Sequence, residues 1–583
     1  MSSRSPNHRA LLIGFLIVCT SSPTTAQNRR GFAADLFSQL DTNHDKFLSA
    51  KELGRPVLHD KIDKDGDGKV TLAEAQAHFK GKDLPRWLSN LYVKPLDTLT
   101  KTEGTRVYWN QFRGPNGQGV MDAPQVPIHF GPDSNILWKT AVGEGQSSPV
   151  IWGNRIFFTT GSSENQGELT TVCLDREQGK VLWQTSVHAR TKRRYYPSNG
   201  PASPTPATDE QHVYVYFGTY GLLCYDHNGT KVWERKIDHP ENQYGVSVSP
   251  ILYEDKVILV LDDNDRDSRI LAMHRDTGAT VWEQPRHFYQ AGWATPMIWR
   301  NSGGDELVVL GSRRLTSYDP SNGKELWWAG GFSKEPIGVP VTGEDLLFAS
   351  DAAAGGRGEI KWDAEASWKV TLEDFDKNKD SKIQRKEMAN GFRIPLRSDL
   401  AKHEPGSAYP VSRRKVDGWL RQLDKDGDGI SKKDWLEFMA GFSMESQPTL
   451  MAIHPGAHGN ARPFSVAWEI HSGIPEVPSP LYHQGRIYLL RKGGRLACIR
   501  ASDGKELFRG LIGVRGQYIA SPIVAGDKLI TASERGTVAV IQIGDKLEVL
   551  ARNEFGEKIL ATPAIAENKI YLRTADHMYA IGG

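Results

Sequence analysis

Cys173-Leu174-Asp175-Arg176-Glu177-Gln178-Gly179-Lys180-Val181-Leu182-Trp183 is the stretch on which the reading of this 583-residue chain turns, because it recurs. It returns as Ala272 to Trp282 and as Ser317 to Trp327. Cys224 to Trp233 is one residue shorter, and Cys498 to Phe508 keeps the Asp503-Gly504-Lys505 turn but ends on Phe. A small residue followed by proline opens each unit: Ser148-Pro149, Ser203-Pro204, Ser249-Pro250, Thr295-Pro296, Ser479-Pro480, Ser521-Pro522 and Thr562-Pro563, with a fifth start near Val339-Pro340. Between opener and repeat lie an apolar strand, a turn such as Gly153-Asn154, and a second strand. Four short strands recurring every roughly 40 to 50 residues describe a β-propeller blade. Eight starts predict eight blades in a mainly β fold.

The last unit stops at Ile581 without its outer strand. Ile136-Leu137-Trp138-Lys139-Thr140, ahead of the first complete unit, is expected to supply it, which leaves no free edge between first and last blades. The Trp that ends each repeat is expected between blades, where an aromatic burying about 150–250 Å² contributes roughly 4–6 kcal/mol gross. Fifty-seven glycines, 32 prolines and 16 tryptophans agree with many short strands and tight turns. A formal net charge of +2 gives no pull toward nucleic acid.

Arg4, His8 and Arg9 precede an apolar run from Ala10 to Cys19, and Thr24-Thr25-Ala26 ends on a small residue, so residues 1–26 read as a signal peptide. Export follows, to the periplasm or cell surface, and the run is too short to remain as a transmembrane anchor. Cys173, Cys224 and Cys498 occupy one position of the repeat. They read as small buried strand residues rather than a disulfide framework.

The Ala-x-Asp-x-x-x-Gly-Lys-x-x-Trp pattern resembles the pyrroloquinoline quinone (PQQ)-like repeat of quinoprotein dehydrogenases and of the outer-membrane assembly propeller lipoprotein. Trp109-Asn110-Gln111-Phe112-Arg113-Gly114-Pro115-Asn116-Gly117 is similar to the lead-in of exported PQQ-like propellers of planctomycete-type bacteria, and Val213 to Asp226 to one of their blades. The resemblance spans residues 105–583 and implies the fold rather than an activity. The dehydrogenase branch implies PQQ held by adjacent cysteines, a stacking Trp and calcium. No two cysteines are adjacent here, so PQQ-dependent oxidation of alcohols or sugars is the alternative reading, and no catalytic residue is assigned.

Other motifs read as structural. Arg113 to Gly119 is glycine-rich without the strand-to-helix frame of a phosphate cradle. His454 and His458 are turn residues, and Lys192-Arg193-Arg194-Tyr195-Tyr196 is a solvated connection. Asp262-Asp263-Asn264-Asp265-Arg266-Asp267 is expected as a solvated hairpin loop of the third blade.

The chemistry lies in four calcium-type loops, in which alternating carboxylates, a tight turn, a backbone carbonyl at position seven and a closing acid wrap one ion in oxygen. Loop one has Asp41, Asn43, Asp45, Phe47 and Glu52; loop two has Asp63, Asp65, Asp67, Lys69 and Glu74. Together they form an EF-hand pair in residues 31–82, with helical apolar spacing at Phe32, Leu36 and Leu40, and at Leu72, Ala75 and Phe79. Loop one replaces the turn glycine by Lys46, so loop two is expected to bind more tightly.

A second pair interrupts blade five in residues 362–445. Loop three has Asp376, Asn378, Asp380, Lys382 and Glu387, with Ser381 in place of the glycine. Loop four has Asp424, Asp426 and Asp428 but has lost a residue after Gly429, so Asp434 must close it one place early. The sequence predicts an exported calcium-binding propeller acting as a scaffold for a protein or cell-envelope partner.

Overall fold

The computed structural model describes Phe47, residues 62–71, Glu74, and 108–583 apart from 163–166, 288, 334, 353–363, 389, 396–407 and 442–446. The signal-peptide reading, most of loop one and the helices around the first pair lie outside these residues. The chain forms two compact units, Met1–Tyr92 and Val93–Gly583.

Strands of the second unit assemble into eight blades. Blade one runs Val150–Trp152, Arg155–Thr160, Glu168–Asp175 and Val181–His188, all antiparallel. Blade eight takes its outer strand from the N-terminal side: Ile136–Ala141 pairs with His577–Ile581, so the ring closes as expected. The cysteines sit buried in third strands of three blades, where burial pushes the thiols of Cys173 and Cys498 up to about 12.

Two stitches run from blade to blade. The first is a relay of hydroxyls at the blade openers, where a backbone N–H donates to the Ser or Thr side chain of the next opener at 2.9–3.1 Å. It passes from Ser148 to Thr205, Ser249 and Thr295, and from Val339 through Ser479, Ser521 and Thr562 back to Ser148. Blade two therefore enters the relay at Thr205-Pro206, not at Ser203-Pro204; Ser203 Oγ instead accepts from the Gly200 N–H and donates to Gln146 Oε1 in the connection ahead of blade one. The second stitch is an indole. Trp138, Trp183, Trp233, Trp282 and Trp468 each donate Nε1 to a backbone carbonyl of the following blade at 2.8–3.1 Å. Each ring covers the repeat glycine of that blade, where a Cβ would lie only 2.5–2.8 Å away. The repeat's Trp and its Gly are thus two halves of one contact between neighbouring blades.

The lead-in segment ties the ring at the first strands. Trp109 pairs with Ile151 of blade one, and Asn110 O accepts from Thr208 N of blade two at 2.8 Å. Asn116 donates to Ile298 O and accepts from Ile298 N in blade four, while Gln118 Oε1 accepts from Thr342 N in blade five. Arg113 donates to Pro480 O in blade six, and Val120–Met121 runs parallel to blade seven. The glycines of this motif serve a close-packed backbone path rather than a phosphate.

Blade five carries the insertion between Leu346–Asp351 and Thr449–Ile453, which pair with each other as though nothing intervened. The insertion has helices Ala364–Phe375, Val416–Leu423 and Lys432–Gly441 and the hairpin Phe392–Pro395/Ala408–Val411. Its own core gathers Trp368, Ile383, Phe392, Trp419, Ile430 and Trp435, joined by Tyr289 from the connection between blades three and four.

That contact corrects the reading of residues 262–267. Asp262 and Asp263 are only 6 % and 5 % exposed. Asp262 forms a two-point ion pair with the buried Arg286 at 2.8 and 2.9 Å. Asp263 accepts from the N–H groups of Asp265, Arg266 and Glu241. Ser412 Oγ donates to Asp265 O at 2.6 Å, Arg414 pairs with Asp265 at 2.6 Å, and the Lys415 ammonium donates to Asp263 O and Tyr289 O. Lys415 is 2 % exposed, and burial pushes its amine down to about 8. The loop is a docking surface because residues some 150 positions later cover it. In the Lys192 to Tyr196 connection, Arg193 likewise grips Glu241 at 2.6 and 2.9 Å, while Lys192, Arg194 and Tyr196 are exposed. His454 and His458 are exposed in the connection before Val466–Ile470.

Candidate metal centres

Loop two shows how six residues bend around a point. Gly66 and Gly68 take left-handed backbone, at φ 72° and 79°, and donate their N–H groups to the two oxygens of Asp63 at 2.8 and 2.9 Å. Asp67 N donates to Asp65 at 3.3 Å, and Lys69 N to Asp67 at 2.8 Å. Three carboxylate oxygens, one each from Asp63, Asp65 and Asp67, fall within 4.8 Å of one another. Like charges gathered so closely in an all-oxygen donor set suit a hard dication.

The closing acid is already in position. Glu74 accepts from Thr71 N at 2.9 Å and Thr71 Oγ1 at 2.8 Å with one oxygen, and from Lys64 N at 3.0 Å with the other. These bonds, the Thr71 backbone N–H first, hold its carboxyl down at about 2. Ile62 and Val70 are buried at either side of the loop, and the Lys69 ammonium lies 4.9 Å from the Phe47 ring, the one described residue of loop one. Asp41, Asn43, Asp45 and Glu52 lie outside the described residues.

Loop three repeats this design with strain. Ser381 N donates to Asp376 at 3.0 Å, and Glu387 takes Gln384 N at 2.8 Å and Lys377 N at 2.7 Å, the same two closing contacts that Glu74 makes. Lys379 and Ser381 stand where loop two has Gly66 and Gly68, at φ 61° and 66°. Two side chains in left-handed backbone cost on the order of 1 kcal/mol each. Asp380 is lowered, chiefly by the Lys382 N–H.

Loop four gathers Asp424, Asp426 and Asp428 as loop two gathers its acids. Its end differs. Asp434 reaches Ser431 N at 2.9 Å and Ser431 Oγ at 2.5 Å, which mirrors half of the Glu74 clamp. Burial raises the Asp434 carboxyl, but the Ser431 bonds outweigh it and leave it lowered. Asp434 is one methylene shorter and one position early. The Glu74 bond to Lys64 N and the Glu387 bond to Lys377 N have no counterpart from Asp434 to Lys425 N among the described residues.

The two inserted loops are joined back to back. Ile383 and Ile430 exchange backbone hydrogen bonds at 3.0 Å in both directions. This brings Lys382 Nζ to 2.5 Å from Asp428, and the lysine is held charged above its ordinary range, first by that bond. Reading each loop separately misses this cross-loop cation. Neither loop's own pattern signals it, because it arises from the isolated bridge between Ile383 and Ile430.

A family profile described as outer membrane protein assembly factor BamB matches residues 128–285, 266–376 and 416–548, more than half of the chain. The chain belongs to this family. The BamB-family match resumes at 416, inside the insertion, and an EF-hand profile matches residues 33–58 and 60–79. Outer membrane protein assembly factor BamB of Yersinia pestis is 20 % identical over 428 residues, covering 71 % of this chain and 90 % of that relative. Solved structures similar to this BamB-family chain include BamB from Moraxella catarrhalis, at 10 % identity and TM-score 0.45, covering 76 % of this chain and 99 % of that one. Quinohemoprotein alcohol dehydrogenase from Comamonas testosteroni, at 11 % identity and TM-score 0.44, covers 85 % and 83 %.

The adjacent cysteine pair that the dehydrogenase resemblance implies is missing from the sequence. Cys173, Cys224 and Cys498 lie in three different blades. Three of the buried guanidiniums have protein partners: Arg286 pairs with Asp262, Arg113 donates to Pro480 O, and Arg573 donates to the carbonyls of Ser147, Thr159 and Gly143. A cavity of about 630 Å³ is lined by Gly516, Gln517, Glu534, Arg535 and Lys558, with no aromatic face among them.

Proposed function

We propose that this chain is an exported calcium-binding β-propeller protein acting as a protein-binding scaffold in the cell envelope, with calcium ordering its EF-hand modules. The observation that carries the reading is loop two, where Asp63, Asp65 and Asp67 converge and Glu74 is fixed by Thr71 and Lys64 in the closing position. In this reading the ligands are Asp63, Asp65, Asp67, Glu74 and the Lys69 carbonyl, then Asp376, Asn378, Asp380, Glu387 and the Lys382 carbonyl. Asp41, Asn43, Asp45, Glu52 and the Phe47 carbonyl form a third set, and Asp424, Asp426, Asp428 and Asp434 a weaker fourth.

Calcium, when bound, supplies charge neutralisation and a fixed loop geometry, not a reaction step. Membership in a family described as an assembly factor supports a scaffold, and the Ala26 cleavage motif supports export. Among the described residues no helix is long and apolar enough to cross a membrane.

Calorimetric titration of calcium into the full chain tests the reading. Saturable binding in the range of about 10⁻⁴–10⁻³ M, the range of extracellular modules, is expected. No heat below about 10 mM, roughly tenfold above that range, would sink it. Loading the same protein with PQQ and calcium and assaying dye reduction with alcohols is expected to give no turnover.

A further inference from the structure

The two blade-to-blade stitches fail together at one place. Val339 opens blade five without a hydroxyl, so the relay has no acceptor for Thr295 of blade four. The indole stitch lapses there too: Trp327 donates to Glu306 of its own blade at 2.6 Å, because residues 454–465 replace the short Asp-x-x-x-Gly-Lys turn in blade five. Phe508 and Ala551 also lack the indole at blades six and seven, but the hydroxyl relay is intact there. Among the described residues, the seam between blades four and five is the one without either stitch.

Substitutes appear at that seam. Gly459–Asn460 runs parallel to Trp327 and Trp328, Ala461 N donates to Trp328 O at 2.8 Å, and Arg462 Nε donates to Gly330 O at 2.9 Å. The insertion springs from the same blade five and docks through Ser412, Arg414 and Lys415 on the Asp263–Asp265 loop of blade three and on Tyr289 beyond it. Its helix Val416–Leu423 lies so close that a Cβ at Gly418 would sit 2.4 Å from the His287 ring and 2.8 Å from Asp267. That helix runs directly into Asp424, and the Ile383–Ile430 bridge couples it to loop three.

We propose that the inserted lobe is a clasp, tightened by calcium, that holds the seam between blades four and five shut. The clasp rests on the calcium reading of Asp376 to Glu387. An ion that fixes the two joined loops orders the helix that carries the dock, and a dock held in one geometry restrains blade five relative to blade three.

Hydrogen exchange on the full chain, with and without about 5 mM calcium, tests it at the seam amides of 297–301, 325–330 and 459–462. Calcium is expected to slow their exchange at least tenfold in the wild type and in Glu74→Gln, and not in Glu387→Gln. Gly418→Leu, which favours the helix but wedges the dock open, is expected to retain calcium uptake by the insertion yet lose the response at the seam. The double variant Ser412→Ala/Arg414→Ala is expected to do the same more mildly, which guards against misfolding of the leucine variant. A seam that ignores calcium while the insertion binds it, or one that responds normally in both dock variants, overturns the clasp and leaves the calcium reading standing. No calcium-binding heat from the double variant Glu52→Gln/Glu74→Gln, in which only the inserted loops keep their closing acids, overturns the reading of loop three and the tightening with it.

Discussion

Asp63 to Gly68 and Asp424 to Gly429 are the same six residues, Asp-Lys-Asp-Gly-Asp-Gly; both pairs of glycines are left-handed and both sets of acids converge, but Asp63 takes the Gly66 and Gly68 N–H groups while Asp424 Oδ1 has no hydrogen-bond partner among the described residues. Their closing halves set them apart. Loop two runs its full course to Glu74, whose two oxygens hold position two and position nine of the loop. Loop four, a residue short, ends on Asp434, which among the described residues holds Ser431 alone, while Lys382 from the neighbouring loop pairs with Asp428. A metal loop is therefore defined by its closure and its neighbours as much as by its acids.

The largest expected effect breaks the stronger partner. Glu74→Gln removes a charged closing ligand and is expected to weaken the tightest calcium site on the order of 100-fold, given how steeply affinity follows ligand charge. Calorimetry on the full chain reads it. Asp434→Glu should act in the opposite direction on the weaker loop, since one methylene lets the carboxylate reach toward the Lys425 N–H. A gain of roughly tenfold at the weakest site is expected, and no gain would mean that register, not reach, limits loop four.

Loop three sharpens the same contrast. Its closure matches loop two, with Glu387 on Gln384 and Lys377, but Ser381 sits in left-handed backbone. Ser381→Gly should relieve about 1 kcal/mol, roughly a fivefold gain in affinity, visible in the same titration. The smallest effect is in pH. Glu74 lies below its ordinary value of 4.5, at about 2, so the folded loop binds its proton less readily than the unfolded chain does. The contribution of its hydrogen bonds is full above the ordinary value and fades as pH falls through about 2. The Thr71 amide resonance should stay unchanged from pH 7 to 4 and shift only near pH 2.

The blades were legible because their signals are local: period-two strands, the Asp-x-x-x-Gly-Lys turn, and an aromatic at a fixed offset. Even the borrowed strand Ile136–Ala141 could be read, since blade eight visibly lacked one. Ser203 misled because two small-residue–proline pairs stand two positions apart, and only the hydroxyl of Thr205 meets the Ser148 N–H. The Asp262–Asp267 loop read as solvated because its burial is imposed by Ser412 to Gly418, a contact no local pattern encodes. The Lys382–Asp428 pair is hidden for the same reason: it belongs to the pairing of two loops, not to either loop.

Anomalous X-ray scattering from crystals of the full chain equilibrated in about 1 mM calcium, the upper end of the extracellular range, reads the occupancy of each loop. An ion is expected at loop two, within about 2.3–2.6 Å of Asp63, Asp65, Asp67 and both Glu74 oxygens, at higher occupancy than any ion at loop four. A fully occupied ion among Asp424, Asp426, Asp428 and Asp434 with none at Asp63 to Glu74 would contradict that expectation.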